Sequence, residues 1–410
     1  MAALLFAWWH VLVPWRLLAA SGSDFANYHR AAHALLAGSS PYTVHAFDYP
    51  PLLAFLLAPL APLSLAVARE AWFWLGEACL IAAAALTWES LRGRLGGWPA
   101  AALVATLWAV SGAIVEVQAL GQVTPLLLLL LAAALRLEGA RPAAAAAAIG
   151  GAAALKLWPA LLLVAFLWRR QWRALAAGLA TLLALVVVPL LWIRLTAPPP
   201  HLPTSAGYWM GTPAPLGISL PALALRLADL PLPTGPLPYS WRLGHDPAAL
   251  VLPPGRAALS LAVAGAVLAL GLGAIAWARR RGGGTAALET AALILLAVLA
   301  SPIAWYHYQL VLLLPAAVAA GRLLEPGGGR RRGSGAATAL LGVAAALAVA
   351  TRLHQGLFGA YVARFGWTSE APGALLVATS LVPWLNAAAF AALVALLARG
   401  HPGTAAGGGP

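Results

Sequence analysis

Charge is scarce in this 410-residue sequence, because Asp, Glu, Lys and Arg make up 9% of it while hydrophobic residues make up 62%. Soluble globular domains carry about a quarter charged residues, so this composition excludes a soluble fold. Apolar runs of about 20 residues, enough to cross a hydrocarbon core of roughly 30 Å, recur along the whole chain. We therefore predict an all-α polytopic integral membrane protein with about 12 transmembrane helices.

Cysteine and lysine are scarcer still, with Cys79 and Lys156 as the single examples. One cysteine inside an apolar run excludes a disulfide framework and a cysteine metal site. The net charge of +13 comes from arginines clustered between apolar runs, which is the positive-inside pattern and not a nucleic-acid groove. His29 and His33 have a spacing that can bind metal, but it is more typical of a surface helix. We expect no metal, no cofactor and no nucleic-acid partner.

The predicted spans place the chain in the cell membrane with both termini in the cytoplasm. They cover residues 3–20, 52–68, 71–88, 99–115, 123–137, 142–167, 175–193, 256–278, 286–303, 308–323, 337–351 and 373–397. The run 52–88 has an alternative interpretation, one long bent helix plus another. Arginine clusters at 169–173, 279–281 and 330–332, together with Arg399, fall on one side of the count, which should be cytoplasmic. The first run lacks a charged leader and a cleavage site, so we expect a retained span.

Two loops should lie outside the cell, at 21–51 and at the proline-rich 196–255. We treat residues 1–400 as a single transmembrane domain and 401–410 as a disordered tail. In the first outer loop, Asp24 follows the first span and begins an amphipathic segment that Gly38 can cap. This pattern predicts a helix in the plane of the membrane interface. Asp24 is then either the helix N-cap or a catalytic carboxylate, and spacing alone does not decide between them.

Three further residues carry unusual chemistry for their places in the sequence. Asp48 precedes Tyr49 and two prolines, which should hold it above the same surface as Asp24. Lys156 lies inside a predicted span, where a charge costs at least about 2.5 kcal/mol and therefore indicates a function. It is too far from the arginines at 169–173 for its side chain to extend to their level. His307 lies in a polar, aromatic break between two spans, at the same outer level as Asp24.

The order of these motifs resembles glycosyltransferase family 87. The motifs are Asp24, the segment 35–42 (LLAGSSPY) after Tyr28, the segment 49–52 (YPPL), Gly121-Gln122, Leu155-Lys156-Leu157 before Pro159, and Ser301-Pro302 before Trp305 and His307. The family contains polyprenol-phosphate-mannose-dependent α-mannosyltransferases within the glycosyltransferase C superfamily. The similarity covers residues 20–320 and implies a glycosyltransferase C-like fold with its active site on the outer face.

The resemblance also implies roles for individual residues. Asp24 matches the family's general base, and His307 matches a histidine near the donor phosphate. With Asp24 as the base, the remaining candidate site residues divide into a donor-binding group (His307, Lys156, Tyr306 and Gln122) and a substrate-positioning group (Asp48, Tyr49, Tyr42 and Tyr28). The implied donor is a polyprenyl-phosphate sugar such as mannose, and the implied acceptor is a glycolipid or glycan met among the membrane lipids.

A transporter or lipid flippase is the alternative from another class. About a dozen spans, broken helices and an intramembrane Lys156 would suit it. The sequence shows no internal repeat, however, and its polar chemistry is concentrated in the outer loops. These two features favour the transferase.

Overall fold

The computed structural model describes residues 11–20, 23–44, 47–203, 217–228, 254–282, 285–325 and 381–399. These residues form helices, turns and one isolated bridge, and no strand occurs among them, which confirms the all-α prediction. The predicted span 337–351, the tail 401–410 and most of the loop 196–255 lie outside the described residues.

The helices are named here in chain order. They are α1 Val13–Ala20, α2 Ser23–Leu36, α3 Leu52–Leu57, α4 Leu65–Leu95, α5 Gly97–Val110, α6 Gly112–Leu120, α7 Thr124–Leu137, α8 Pro142–Leu155, α9 Val164–Trp168, α10 Trp172–Thr196, α11 Leu220–Ala228, α12 Pro254–Gly282, α13 Ala286–Ala300, α14 Leu313–Leu323 and α15 Leu381–Ala398. Shorter 3-10 helices occupy Pro41–Thr43, Ala58–Leu60, Trp158–Leu163 and Tyr306–Leu312.

Within the described residues, four helices are long and apolar enough to cross a membrane, namely α4, α10, α12 and α15. The pair α5 and α6, bent by 57° at Ser111, makes a fifth if it counts as one span. A membrane protein is therefore shown, whereas the count of about 12 spans stays a prediction.

The chain divides into two compact units, each described by itself. The first comprises the described residues of 1–90, 104–206 and 307–311, and the second comprises those of 91–103, 207–306 and 312–410. In the second unit, the backbone of Gly217 pairs with that of Trp305. The buried Arg226 donates to the Gly217 carbonyl at 3.0 Å, and the buried Asn386 donates to the Ile218 carbonyl at 3.3 Å.

Helix α2 confirms the helix predicted after the first span. Its apolar face is buried, with Phe25 and Tyr28 fully covered. Gly38 ends it in the left-handed conformation, at φ 72°, where the Gly38 and Ser39 amides donate to carbonyls near the helix end. This is the Schellman arrangement, which favours glycine because a Cβ is strained there. The face packs on protein, and its level in the membrane stays a prediction.

Two predicted spans differ from the structure. The segment 52–68 is not one helix. Helix α3 is followed by the 3-10 helix Ala58–Leu60, and residues 61–64 are not helical before α4 begins. Nine residues of helix and turn reach about 14 Å, too short for a hydrocarbon core. Helix α4, at 31 residues, instead begins after this break.

The predicted span 142–167 is a hairpin and not a single crossing. Glu138 and Arg169 form an ion pair, although a continuous helix would separate residues 31 positions apart by about 46 Å. Helix α8 ends at Leu155, Lys156 is extended, and Pro159 lies in a 3-10 turn that leads back to α9. Proline cannot continue the α-helical hydrogen bonding, which explains the reversal at this point.

Candidate active site

Gln122 lies at a tight turn between α6 and α7. Gly121 ends α6 in the left-handed conformation, and the amides of Gly121 and Gln122 donate to the carbonyls of Gln118 and Val117 in a second Schellman arrangement. The Trp72 indole donates to the Gly121 carbonyl at 2.9 Å, which fixes the turn from outside. Gly121-Gln122 therefore caps the end of α6. It is a cap that also aims the Gln122 side chain inward.

The Gln122 amide is the centre of a buried hydrogen-bond cluster. Its Nε2 donates to the Asp24 carboxylate and lies 3.2 Å from the Tyr49 hydroxyl. Its Oε1 accepts from the Tyr28 hydroxyl at 3.1 Å and from Lys156 Nζ at 3.2 Å. One side chain therefore bridges an acid on one side and a base on the other.

Lys156 is held in a cage at the turn of the α8 hairpin. Its Nζ lies 3.2 Å from His307 Nε2, so the amine links Gln122 to the histidine. The same Nζ lies 4.4 Å from the centre of the Tyr308 ring and 5.5 Å from that of Tyr49. Aromatic faces attract a cation in a site that excludes water. Buried and hydrogen-bonded in this way, Lys156 is part of the cluster and does not extend toward a surface.

Asp24 lies in the first turn of α2, one residue inside the helix, with its carboxylate bonded to the Gln122 side chain. The N-cap interpretation therefore does not account for its position. Burial raises the pKa of the Asp24 carboxyl, while the Gln122 hydrogen bond and the charge of Lys156 act in the opposite direction. A raised pKa makes this carboxylate a stronger proton acceptor than an exposed aspartate.

The tyrosines of the first outer loop surround this carboxylate. The rings of Tyr28 and Tyr49 meet edge to face at 4.9 Å, and burial raises the pKa of both phenols. The Tyr42 hydroxyl donates to the Tyr49 carbonyl at 3.3 Å, which anchors the stretch before α3. Asp48 acts on Tyr42, whose pKa it raises further beyond the effect of burial.

The structure thus brings together six of the candidate residues: Asp24, Tyr28, Tyr49, Gln122, Lys156 and His307. Tyr42 and Asp48 stand behind Tyr49, and Tyr306 is fully buried beside His307 in the chain. Two contributors were missed. The Tyr308 ring lies against the Lys156 amine, and the Trp72 indole donates to the backbone of the Gln122 turn.

An all-helical membrane protein with a partly buried carboxylate, a buried amide and a buried amine in hydrogen-bonded series has the parts of a group-transfer enzyme. The carboxylate can accept a proton, and the amine and imidazole can bind an anion. The family model of glycosyltransferase family 87 matches residues 47–302, more than half of the chain. The chain belongs to this family and is a membrane glycosyltransferase. Among curated proteins, none matches it significantly.

Asp24 and His307 lie outside the matched residues, on either side of them. The family assignment therefore rests on the middle of the chain, including Tyr49, Gln122 and Lys156. The contacts of these three residues connect Asp24 and His307 to the matched part.

Proposed function

We propose that this protein transfers mannose from a polyprenyl-phosphate donor to a glycolipid or glycan acceptor on the outer face of the cell membrane, with inversion. The observation that carries the proposal is the series Asp24, Gln122, Lys156 and His307, which has a proton acceptor at one end and anion-binding groups at the other. A lipid-phosphate donor needs both, and it needs no nucleotide motif. The family match favours the transferase over the transporter alternative.

Asp24 acts as the general base in this proposal. It takes the proton of the acceptor hydroxyl while the acceptor oxygen forms a bond to the anomeric carbon. The bond from that carbon to the phosphate oxygen breaks on the opposite face, and its electron pair stays with the polyprenyl phosphate. One displacement of this kind inverts the anomeric centre. A positioned base contributes about 10²–10⁴-fold to the rate.

Lys156 and His307 bind the donor phosphate and stabilise the negative charge that grows on it as the sugar leaves. Preorganised donors in a site without water act strongly on such charge, because little dielectric screening weakens them. Gln122 orients both ends, and Tyr28 and Tyr49 position the sugar beside Asp24. Asp48 and Tyr42 support Tyr49 from behind.

The test separates binding from transfer in the purified protein, with polyprenyl-phosphate mannose as the donor. Asp24→Asn should bind the donor as the wild type does, yet transfer mannose at least about 100-fold more slowly. Lys156→Met should lose donor binding itself, since the substitution keeps the length and removes the cation. Asp48→Asn is the matched control and should cost much less than Asp24→Asn.

Full transfer by Asp24→Asn would exclude it as the base and would make Asp48 the next candidate. Unchanged donor affinity in Lys156→Met would remove Lys156 from the phosphate site. Transfer of a sugar other than mannose, with the same two variant phenotypes, would retain the mechanism and change the donor. Mass spectrometry of envelope glycolipids, with and without the protein, identifies the acceptor.

A further inference from the structure

A cavity of about 590 Å³ opens between the C-terminal parts of α12 and α15, within the second unit. Its walls are formed by Trp277 and Arg281 of α12, by Phe390 and Val394 of α15, and by Arg399, which directly follows α15. Alanines of both helices fill the positions between these larger residues. Because alanine leaves the space that a longer side chain would fill, the cavity is a groove with an apolar floor and two arginines at one end.

The two helices that form the groove are both apolar enough to cross a membrane. Trp277 is about half exposed, at 49%, so the described residues leave this side of α12 uncovered at that level. A helix surface of this kind is covered by lipid when the protein is in a bilayer. The occupant of the groove must therefore have an apolar part.

The arginines add a requirement for negative charge. The Arg281 guanidinium lies 4.6 Å from the centre of the Trp277 ring, which holds it at the groove. Arg399 lies at the end of α15, on the opposite wall. Among the described residues that line the groove there is no carboxylate, whereas the neighbouring Arg279 is paired with Glu289 at 2.7 Å. Arg281 and Arg399 thus place two positive charges at one cavity, while the charge of Arg279 is paired with Glu289.

We propose that this groove binds an anionic phospholipid, with its phosphate against Arg281 and Arg399 and an acyl chain against Phe390 and Val394. Basic pockets between transmembrane helices bind anionic headgroups by the same combination of charge and apolar contact. The arginine-rich helix ends are predicted to be cytoplasmic, and the cytoplasmic leaflet carries anionic lipid. The site is independent of the proposed sugar transfer.

The test uses the full-length protein in detergent and native mass spectrometry. Phosphatidylglycerol and phosphatidylcholine with identical acyl chains are added in equal amounts. The wild type should retain phosphatidylglycerol preferentially. The double variant Arg281→Gln, Arg399→Gln should bind it about 30-fold more weakly, since each arginine near an anionic headgroup contributes roughly a fivefold gain. Retention of phosphatidylcholine should not change.

Two further variants complete the design. Arg280→Gln removes the same charge from an exposed position beside the groove and should retain phosphatidylglycerol as the wild type does. Ala391→Leu fills the groove without changing charge and should also reduce retention. Equal retention by the double variant and Arg280→Gln, or no lipid preference in the wild type, would overturn the proposal. So would an Ala391→Leu protein that loses thermal stability but keeps its lipid, because a segment of this chain would then fill the groove.

Discussion

At the scale of single residues, the Gln122 amide keeps opposite charges apart. A carboxylate and an ammonium attract each other strongly where water is excluded, and direct pairing would use the electron pairs and protons that catalysis needs. The amide instead donates to Asp24 and accepts from Lys156. Each ionisable group therefore has a hydrogen-bond partner, and the bridge through Gln122 replaces a direct ion pair. A leucine or methionine of similar size could fill the space but could not make either bond.

Gln122→Met should move the acid limb of kcat/KM to higher pH. The Gln122 hydrogen bond stabilises the charged Asp24 carboxylate, so its removal raises a pKa that burial has already raised. The base works only when it is deprotonated, and activity is lost as the pH falls through that pKa. The measurement is the pH dependence of mannose transfer at low acceptor concentration, which reports the free enzyme.

Gln118→Met is the matched control for this prediction. Gln118 is also buried and lies one helical turn earlier, but its amide donates to Glu77 at 2.8 Å and not to Asp24. Its pH profile should match that of the wild type. An acid limb that does not move in Gln122→Met would show that the titrating base is not the carboxylate bonded to Gln122.

At the scale of helices, glycine lets α8 and α10 approach closely and so places Lys156. A Cβ built on Gly150 would lie 2.3 Å from the Gly178 carbonyl oxygen, and one on Gly178 would lie 2.8 Å from that of Ala146. Small residues at a helix contact let backbones approach and pack without apolar side chains between them. Lys156 directly follows the last residue of α8, so the contact between α8 and α10 also sets the depth of the Lys156 amine in the site.

Gly150→Ala should therefore lower thermal stability, by about 1–3 kcal/mol of unfolding free energy as for an overpacked core. Gly151→Ala provides the control, because a Cβ at Gly151 meets its nearest neighbour, on Leu130, at 3.9 Å. Both substitutions give the same gain in helix propensity, so the difference between the stabilities of the two variants reports the contact between α8 and α10. Thermal melting in detergent measures it. Equal melting temperatures would mean that the two helices can separate slightly without loss.

The all-helical class could be predicted from the sequence, but the reversals of the chain could not. Asp24 and His307 were chosen because they lie in polar stretches beside predicted spans and match the family's motifs, and their roles stay predictions. The break at Lys156 was missed because hydrophobicity measures the length of a run and not its direction, so the hairpin 142–168 reads as one long span. Tyr308 was not among the candidate residues, because the sequence did not show that the 3-10 helix would bring its ring centre within 5.0 Å of that of His307.

At the scale of the whole molecule, polar groups of the first unit gather at two ends of its helices. Asp24, Gln122 and Lys156 lie at one end. The ion pairs Glu89–Arg136 and Glu138–Arg169 lie at the other, and the 14 residues of α7 separate the two ends by about 20 Å. This separation is expected when one end faces the outer surface and the other faces the arginine-rich cytoplasmic side.

The position of the short connection 138–141 follows from this arrangement. If the predicted spans are counted from a cytoplasmic N-terminus, this connection lies outside the cell. The ion pair of Glu138 with Arg169 instead places it beside the arginine cluster that is predicted to be cytoplasmic. The ion pair agrees with a cytoplasmic N-terminus only if 52–68 does not cross the membrane and 142–167 is a hairpin. Because the hairpin returns the chain to the same side, Arg169 keeps its predicted cytoplasmic location.

Cysteine labelling on intact cells tests this topology. In a Cys79→Ala background, a cysteine at Ala37 should react with an impermeant thiol reagent, and one at Gly139 should not react until the membrane is opened. Both positions are exposed on the protein, so burial does not explain a difference between them. Labelling of both in intact cells would mean that α7 does not separate the two surfaces. Labelling of Gly139 but not of Ala37 would place Asp24 in the cytoplasm, where the proposed acceptor is absent.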